Sequence, residues 1–209
     1  MKITIFIVLV ILFGQVSVVF GQEEKSTTRT NLPNECSKVI SVSIINKANL
    51  KDAQISIIKD GIFSKDVYIQ EDHAYFNGWA AAFVAIQADY SLKLIPTSSN
   101  SDITITLTTE KNPTYNGWTT YHYSLGNITS SAVVIYDANN IPDVALENLV
   151  RHEMGHALGL KHSTTISSIM YPTMHYTPKY ISDIDLYELK SDSKNLIQSA
   201  VRCIYNNNI

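Results

Sequence analysis

The sequence predicts an α+β domain in which a twisted mixed sheet carries two main helices and a C-terminal helix. Three observations point there. Short segments with apolar residues at every second position recur between residues 38 and 136. Between them Tyr75, Trp79, Phe83 and Ile86 repeat at three- and four-residue spacing, the stripe of a helix packed on a core. A second helical segment then runs from Pro142 to a glycine stop at Gly159. Of the 209 residues, 45% are apolar and 17% charged, which is globular rather than disordered composition. The formal net charge of −3, with no long basic run, leaves no track for phosphates, so nucleic acid is not an expected partner.

Taken in order, Met1-Lys2, an apolar run from Ile3 to Phe13 and small residues up to Gly21 have the parts of a secretory signal, with cleavage expected after Gly21. The rival reading is an uncleaved anchor on the outer face of a membrane, since Ile3 to Phe20 is about the shortest span that crosses a bilayer. Residues 22–35 are polar, include Pro33 and read as a leader; residues 36–209 form the expected folded domain. Two cysteines remain after processing, Cys36 and Cys203. An even count in an exported chain predicts one disulfide between them, closing nearly the whole domain.

Strands are predicted from Lys38 through Ile44, over Gln54 to Ile58, Leu92 to Ile95, Asp102 to Leu107, Trp118 to Tyr123 and Ala132 to Tyr136. The first helix is placed over Lys65 to Ala88. Asn112-Pro113, Asn116-Gly117 and Asp137-Ala138-Asn139-Asn140 are turns or loops. In the second helix Val144, Leu146, Leu149 and Val150 supply the buried side. A third helix begins after Ser182, with Asp185 as its capping partner. Asn127-Ile128-Thr129 fits a glycosylation acceptor.

The chemistry concentrates in His152-Glu153-Met154-Gly155-His156-Ala157-Leu158-Gly159-Leu160-Lys161-His162. Histidines four apart on a helix leave the same face one turn apart, so two imidazoles reach one ion. Gly159 breaks the helix and frees the chain to return His162 as a third ligand. Three protein ligands leave a fourth position for water, which is the arrangement of a catalytic rather than a structural Zn²⁺. Glu153 then acts as general base on that water and passes the proton to the leaving amine. Two histidines and the glutamate alone arise by chance in roughly one chain per hundred, but the added glycine and third histidine lower that to about one in 10⁵.

This stretch resembles the signature of the metzincin zinc peptidases. Ser168-Ile169-Met170-Tyr171-Pro172 resembles their Met-turn, which implies Met170 as an apolar floor beneath the ligands. Ser163 directly after the third histidine, and Tyr171-Pro172 after the methionine, are most similar to the matrixins. Pro172 stands where astacin-like relatives carry a metal-binding tyrosine, so no tyrosine ligand is implied. The resemblance implies a zincin-like fold with its zinc cleft between upper and lower parts. Two departures are expected to matter. No Pro-Arg-Cys-Gly latency segment is recognisable, which leaves Cys36 a second reading as a thiolate cap on zinc. The matrixin loop for a second, structural zinc and for calcium is not recognisable either, and His73 and His122 stand alone.

The expected activity is that of a secreted, monomeric zinc endopeptidase acting on proteins or peptides. The alternative is an exported zinc-binding module without turnover, which would have no need of Glu153. Substrate is expected to lie extended along Trp118 to Tyr123 as an edge strand. The pocket for the residue after the cut bond would be walled by Leu149, Pro172, Thr173 and Met174, with His175 nearby, and would favour an apolar side chain.

Overall fold

The computed structural model describes residues 38–88, 90–97, 100–125 and 127–191. The expected leader, Cys36 and Cys203 lie outside the described residues. The element order is β1 (Lys38–Asn46), α1 (Asp52–Phe63), β2 (Val67–Gln70), β3 (His73–Phe76), α2 (Trp79–Ala85), β4 (Tyr90–Leu94), β5 (Ile103–Leu107), β6 (Gly117–Ser124), β7 (Asn127–Ile135), α3 (Asp143–Ala157) and α4 (Asp183–Ser191). This is the α+β, metzincin-like architecture that the sequence predicts.

The main sheet has five strands in the order β4-β1-β5-β7-β6. Its first four strands run parallel, and β6 closes the edge antiparallel to β7. Alternation in β5 decides its facing: Ile103, Ile105 and Leu107 are buried while Thr104 and Thr106 are partly exposed. Ile40, Val42, Val133 and Ile135 complete the apolar sheet surface. A buried carboxylate fixes the β1–β5 pair, because Asp102 accepts from the Ser41 N–H (2.7 Å) and hydroxyl (2.6 Å). Helix α3 lies against β6 and β7 and packs on α1 and α2. Among the described residues no helix is long and apolar enough to cross a membrane.

Two expected elements are corrected. Residues 54–58 belong to α1, not to a strand: Ile55, Ile58 and Ile62 follow the three- and four-residue period, and Ile58 and Ile62 are wholly buried. The helix expected over 65–88 is in fact the β2–β3 hairpin followed by the short α2. Glu71 and Asp72, at φ 50° and 64°, occupy the two left-handed positions of a tight hairpin turn. That turn carries neither glycine nor asparagine, so its usual signal is missing. The stripe holds from Trp79 (0% exposed) through Phe83 (2%) to the partly buried Ile86 at the end of α2, while Tyr75 sits on β3. Val144, expected on the buried side of α3, is 37% exposed. The other strands and helices fall within a few residues of their expected bounds.

Candidate metal centre and cleft

Helix α3 carries His152 and His156 on one face, and its C-terminus sets the path to His162. Leu160 N–H donates to Gly155 O (3.0 Å) and Gly159 N–H to His156 O (2.6 Å), the paired bonds of a Schellman stop. Gly159 has φ 98°, a conformation that strongly favours glycine, so the stop read from the sequence has a backbone cause. The chain turns back, and Ser163 N–H donates to Met170 O (3.0 Å), anchoring the segment beyond His162 to the turn at Met170.

One ring nitrogen from each of His152, His156 and His162 lies within 4.8 Å of the others. His152 Nδ1 is 2.8 Å from Ile169 O and His156 Nδ1 is 2.8 Å from Leu160 O. Carbonyl oxygens only accept, so Nδ1 bears the proton in both rings and Nε2 keeps its lone pair. His152 Nε2 and His162 Nε2 stand 3.3 Å apart. Two donors on a tetrahedral ion at bonds of about 2.1 Å would stand about 3.4 Å apart, so this donor set fits Zn²⁺. Burial lowers the His152 pKa to about 4, against the opposing bond to Ile169, and likewise holds His156 below the usual histidine range. Neutral imidazole is the form a cation needs. Among the described residues no other cluster of three or more such side chains converges.

Glu153 is 5% exposed, and its carboxylate faces β6, where the Thr119 hydroxyl donates to Oε2 at 2.6 Å. Burial pushes its pKa up to about 7, with the Thr119 bond opposing the shift. Strand β6 also grips the far end of α3: Tyr121 donates its hydroxyl to His156 O at 2.8 Å. Burial, then Tyr123 and Glu153, raise the Tyr121 pKa to about 12, so this donor keeps its proton. Ser131 on β7 adds a bond to Ala157 O at 3.1 Å.

Met170 is wholly buried beneath α3. A Cβ built at Gly155 would stand 2.3 Å from Met170 Sδ and 2.9 Å from Trp79 Cζ2, so the glycine between the two helical histidines admits both side chains. The turn before Met170 is tied to α4 by Asp185, itself wholly buried. Asp185 accepts from the Ser168 hydroxyl, from Ser182 N–H (2.8 Å) and hydroxyl (2.7 Å), and from Ile169 N–H (3.4 Å). The predicted cap of α4 is thus present, and it reaches the segment that orients His152.

A cavity of about 590 Å³ opens beside the histidines. Leu149, Pro172, Thr173 and Met174 all line it, together with His175, Tyr115 and Trp118. Tyr115 and Trp118 form an aromatic pair with centroids 4.7 Å apart. The segment beyond Pro172 is pinned by Asn148, whose amide donates to His175 O (2.9 Å) and Thr177 O (2.8 Å) and accepts from Lys179 N–H (3.0 Å). His175 Nε2 is buried without a hydrogen-bond partner among the described residues. Residues 118–123 do lie on the edge strand β6. His122 is exposed on that strand, and His73 on β3 lies 3.7 Å from Asp183, so neither joins the cluster.

Sequence reasoning missed Thr119, Tyr121, Asn148 and the buried Arg151. The Arg151 guanidinium pairs with Glu147 and donates to Asn77 O (2.6 Å) and Lys179 O (3.1 Å). The one available signal was Arg151 itself, a cation on the helix face that should be apolar.

The sequence model of the matrixin family of peptidases matches residues 79–200, more than half of the chain. A 38-residue stretch is 50% identical to the interstitial collagenase of Sus scrofa, covering 18% of this chain and 8% of that protein. A 34-residue stretch is 53% identical to the interstitial collagenase of Aquarana catesbeiana, covering 16% and 9%. The chain therefore spans less than a tenth of the length of these relatives. The chain belongs to the matrixin family, whose members are zinc-dependent metallopeptidases.

Proposed function

We propose that this chain is an exported zinc endopeptidase in which His152, His156 and His162 hold the metal and Glu153 is the general base. The observation that carries the reading is the convergence of three imidazoles with one buried carboxylate at the mouth of a cavity with an apolar lining. Zinc held there would supply Lewis acidity toward a peptide carbonyl and lower the pKa of a water to about 7.

The protein's own groups do the rest. Carbonyls of Ile169 and Leu160 fix two rings with Nε2 toward the shared point. Glu153 takes the proton of the attacking water and returns it to the leaving nitrogen. An extended peptide adds to the free edge of β6 through main-chain hydrogen bonds. Leu149, Pro172, Thr173 and Met174 receive an apolar side chain next to the cut bond, and Met170 supports the ligands from below. Export rests on the character of residues 1–21.

The test is zinc content and peptide cleavage by the purified chain and by its Glu153→Gln variant. The variant should keep its metal and lose turnover about 10³-fold or more. Equal cleavage by both proteins would end the general-base assignment. Zinc bound with no cleavage by either would favour a binding module.

A further inference from the structure

The Thr119 hydroxyl lies 2.6 Å from Oε2 of Glu153 and 3.2 Å from the main-chain oxygen of the same residue. It has one proton to give, and the shorter contact to the stronger acceptor takes it. Among the described residues no second side chain donates to this carboxylate. Two residues earlier on β6, and so on the same face, Gly117 presents bare backbone to the same group. A Cβ at Gly117 would stand 2.4 Å from Oε1 and 2.7 Å from Cγ of Glu153. Its φ is not in the left-handed region, so the requirement is for space rather than for backbone freedom.

We propose that Thr119 is a positioning residue for Glu153, with Gly117 as the gap that lets the carboxylate seat against β6. The inference rests on the general-base reading of Glu153 given above. A glutamate has three side-chain torsions, and a base must point at its proton to within a fraction of an ångström. Thr119 removes that freedom by tying one oxygen to the strand, leaving Oε1 as the oxygen without a side-chain donor. It ties the base to the same strand whose free edge would hold the peptide, so base and scissile bond share one frame. A threonine serves this better than a longer donor, because its β-branch is stiff and suits a strand.

The experiment uses the zinc-loaded chain and compares Thr119→Val, which keeps shape but not the donor, with Thr119→Ser, which keeps the donor. Thr119→Val should retain zinc and KM within about twofold and lose kcat about ten- to hundredfold, while Thr119→Ser recovers most of it. A second readout needs no activity. In the metal-free protein, Thr119→Val should lower the urea midpoint, and in a Glu153→Ala background, where only the main-chain oxygen at 3.2 Å remains as acceptor, that shift should be much smaller. Wild-type kcat in Thr119→Val, a serine variant as slow as valine, or an equal midpoint shift in both backgrounds would overturn the proposal. If Glu153→Gln remains active, the general-base reading falls on its own, and the unfolding cycle still decides whether Thr119 holds Glu153.

Discussion

Replacing Gly155 by alanine sets two effects of opposite sign against each other in the middle of α3. Alanine is the better helix former, worth about 1 kcal/mol at an interior position. Against it stands contact: the new methyl carbon would lie 2.3 Å from Met170 Sδ, 2.9 Å from Trp79 Cζ2 and 3.2 Å from Met170 Cε. Unstrained separations are about 3.5–4.0 Å, so more than 1 Å of overlap must be relieved. Neither neighbour has free room to retreat. Met170 and Trp79 are both 0% exposed, and the indole is fixed by its N–H bond to Arg151 O at 2.9 Å. Overpacking of this kind costs about 3 kcal/mol, which leaves a net loss of about 2 kcal/mol after the helix gain. For a domain of this size that lowers Tm by roughly 4–8 °C. Urea unfolding of the metal-free protein measures it, and Gly155→Ala combined with Met170→Ala supplies the control. In the double variant the methyl enters vacated space, so the glycine substitution should cost far less than in the wild type. A Gly155→Ala protein at least as stable as wild type, or strict additivity in the double variant, would refute the claim that Met170 packs against a bare helix position.

Two further outcomes follow from buried carboxylates. Asp185→Ala leaves the Ser168 and Ser182 hydroxyls and two main-chain N–H groups without their acceptor. It should cost about 3 kcal/mol, a Tm drop of roughly 6–12 °C, and weaken zinc binding about tenfold because Ile169 O orients His152. Calorimetry and chelator competition read the two effects, and an unchanged Tm would deny that Asp185 ties α4 to the turn. Glu153 predicts a pH dependence in the metal-free protein. Its folded pKa is raised from 4.5 to about 7, so its contribution is fully present below pH 4.5 and lost as pH rises to 7. His152, lowered to about 4, acts the other way, losing its contribution as pH falls below 6.5. Glu153→Gln isolates the first effect: its stability relative to wild type should rise by about 3 kcal/mol between pH 4.5 and 7.5. A flat difference across that range would mean that the carboxylate is not held in an apolar seat.

Much of this architecture is legible in the sequence because local period and burial agree. Ile103, Ile105 and Leu107 alternate and are buried, and the 142–159 segment begins at proline and stops at Gly159 for the backbone reason that glycine stops signal. Reading fails where the local signal is shared or silent. The Ile55–Ile58 pair fits a short strand or a helix until Ile62 extends the helical period, and the Glu71-Asp72 turn uses residues that seldom mark a hairpin. The three histidines and Glu153 stand out because ligand chemistry restricts residue type and spacing together. Thr119, Asn148 and Asp185 carry no such restriction. Apart from the Ser182 cap of Asp185, which the sequence shows, their partners lie 34, up to 31 and up to 17 residues away, so only the folded chain reveals those contacts.

The placement of these residues, with Met170 and Trp79, has a mechanical consequence. Helix α3 is held along the histidine face from three directions: Thr119 and Tyr121 on β6, Ser131 on β7, and Met170 with Trp79 beneath Gly155. Each contact falls between residues 151 and 157, the turns that carry His152, Glu153 and His156. The cavity wall beyond Pro172 is held differently, by the amide of Asn148 and by Arg151 reaching Lys179 O. Those bonds join main-chain groups of residues 175–179 and leave the side chains of Thr173 and Met174 outside the network. Substitutions at 173 and 174 can therefore reshape the cavity without moving the histidines, whereas substitutions at 117, 119 or 155 reach the glutamate or the ligand helix directly. On the proposed activity, substrate choice and reaction chemistry are thus separable in this chain: the first should respond to changes in the wall, the second to changes in the seat of α3.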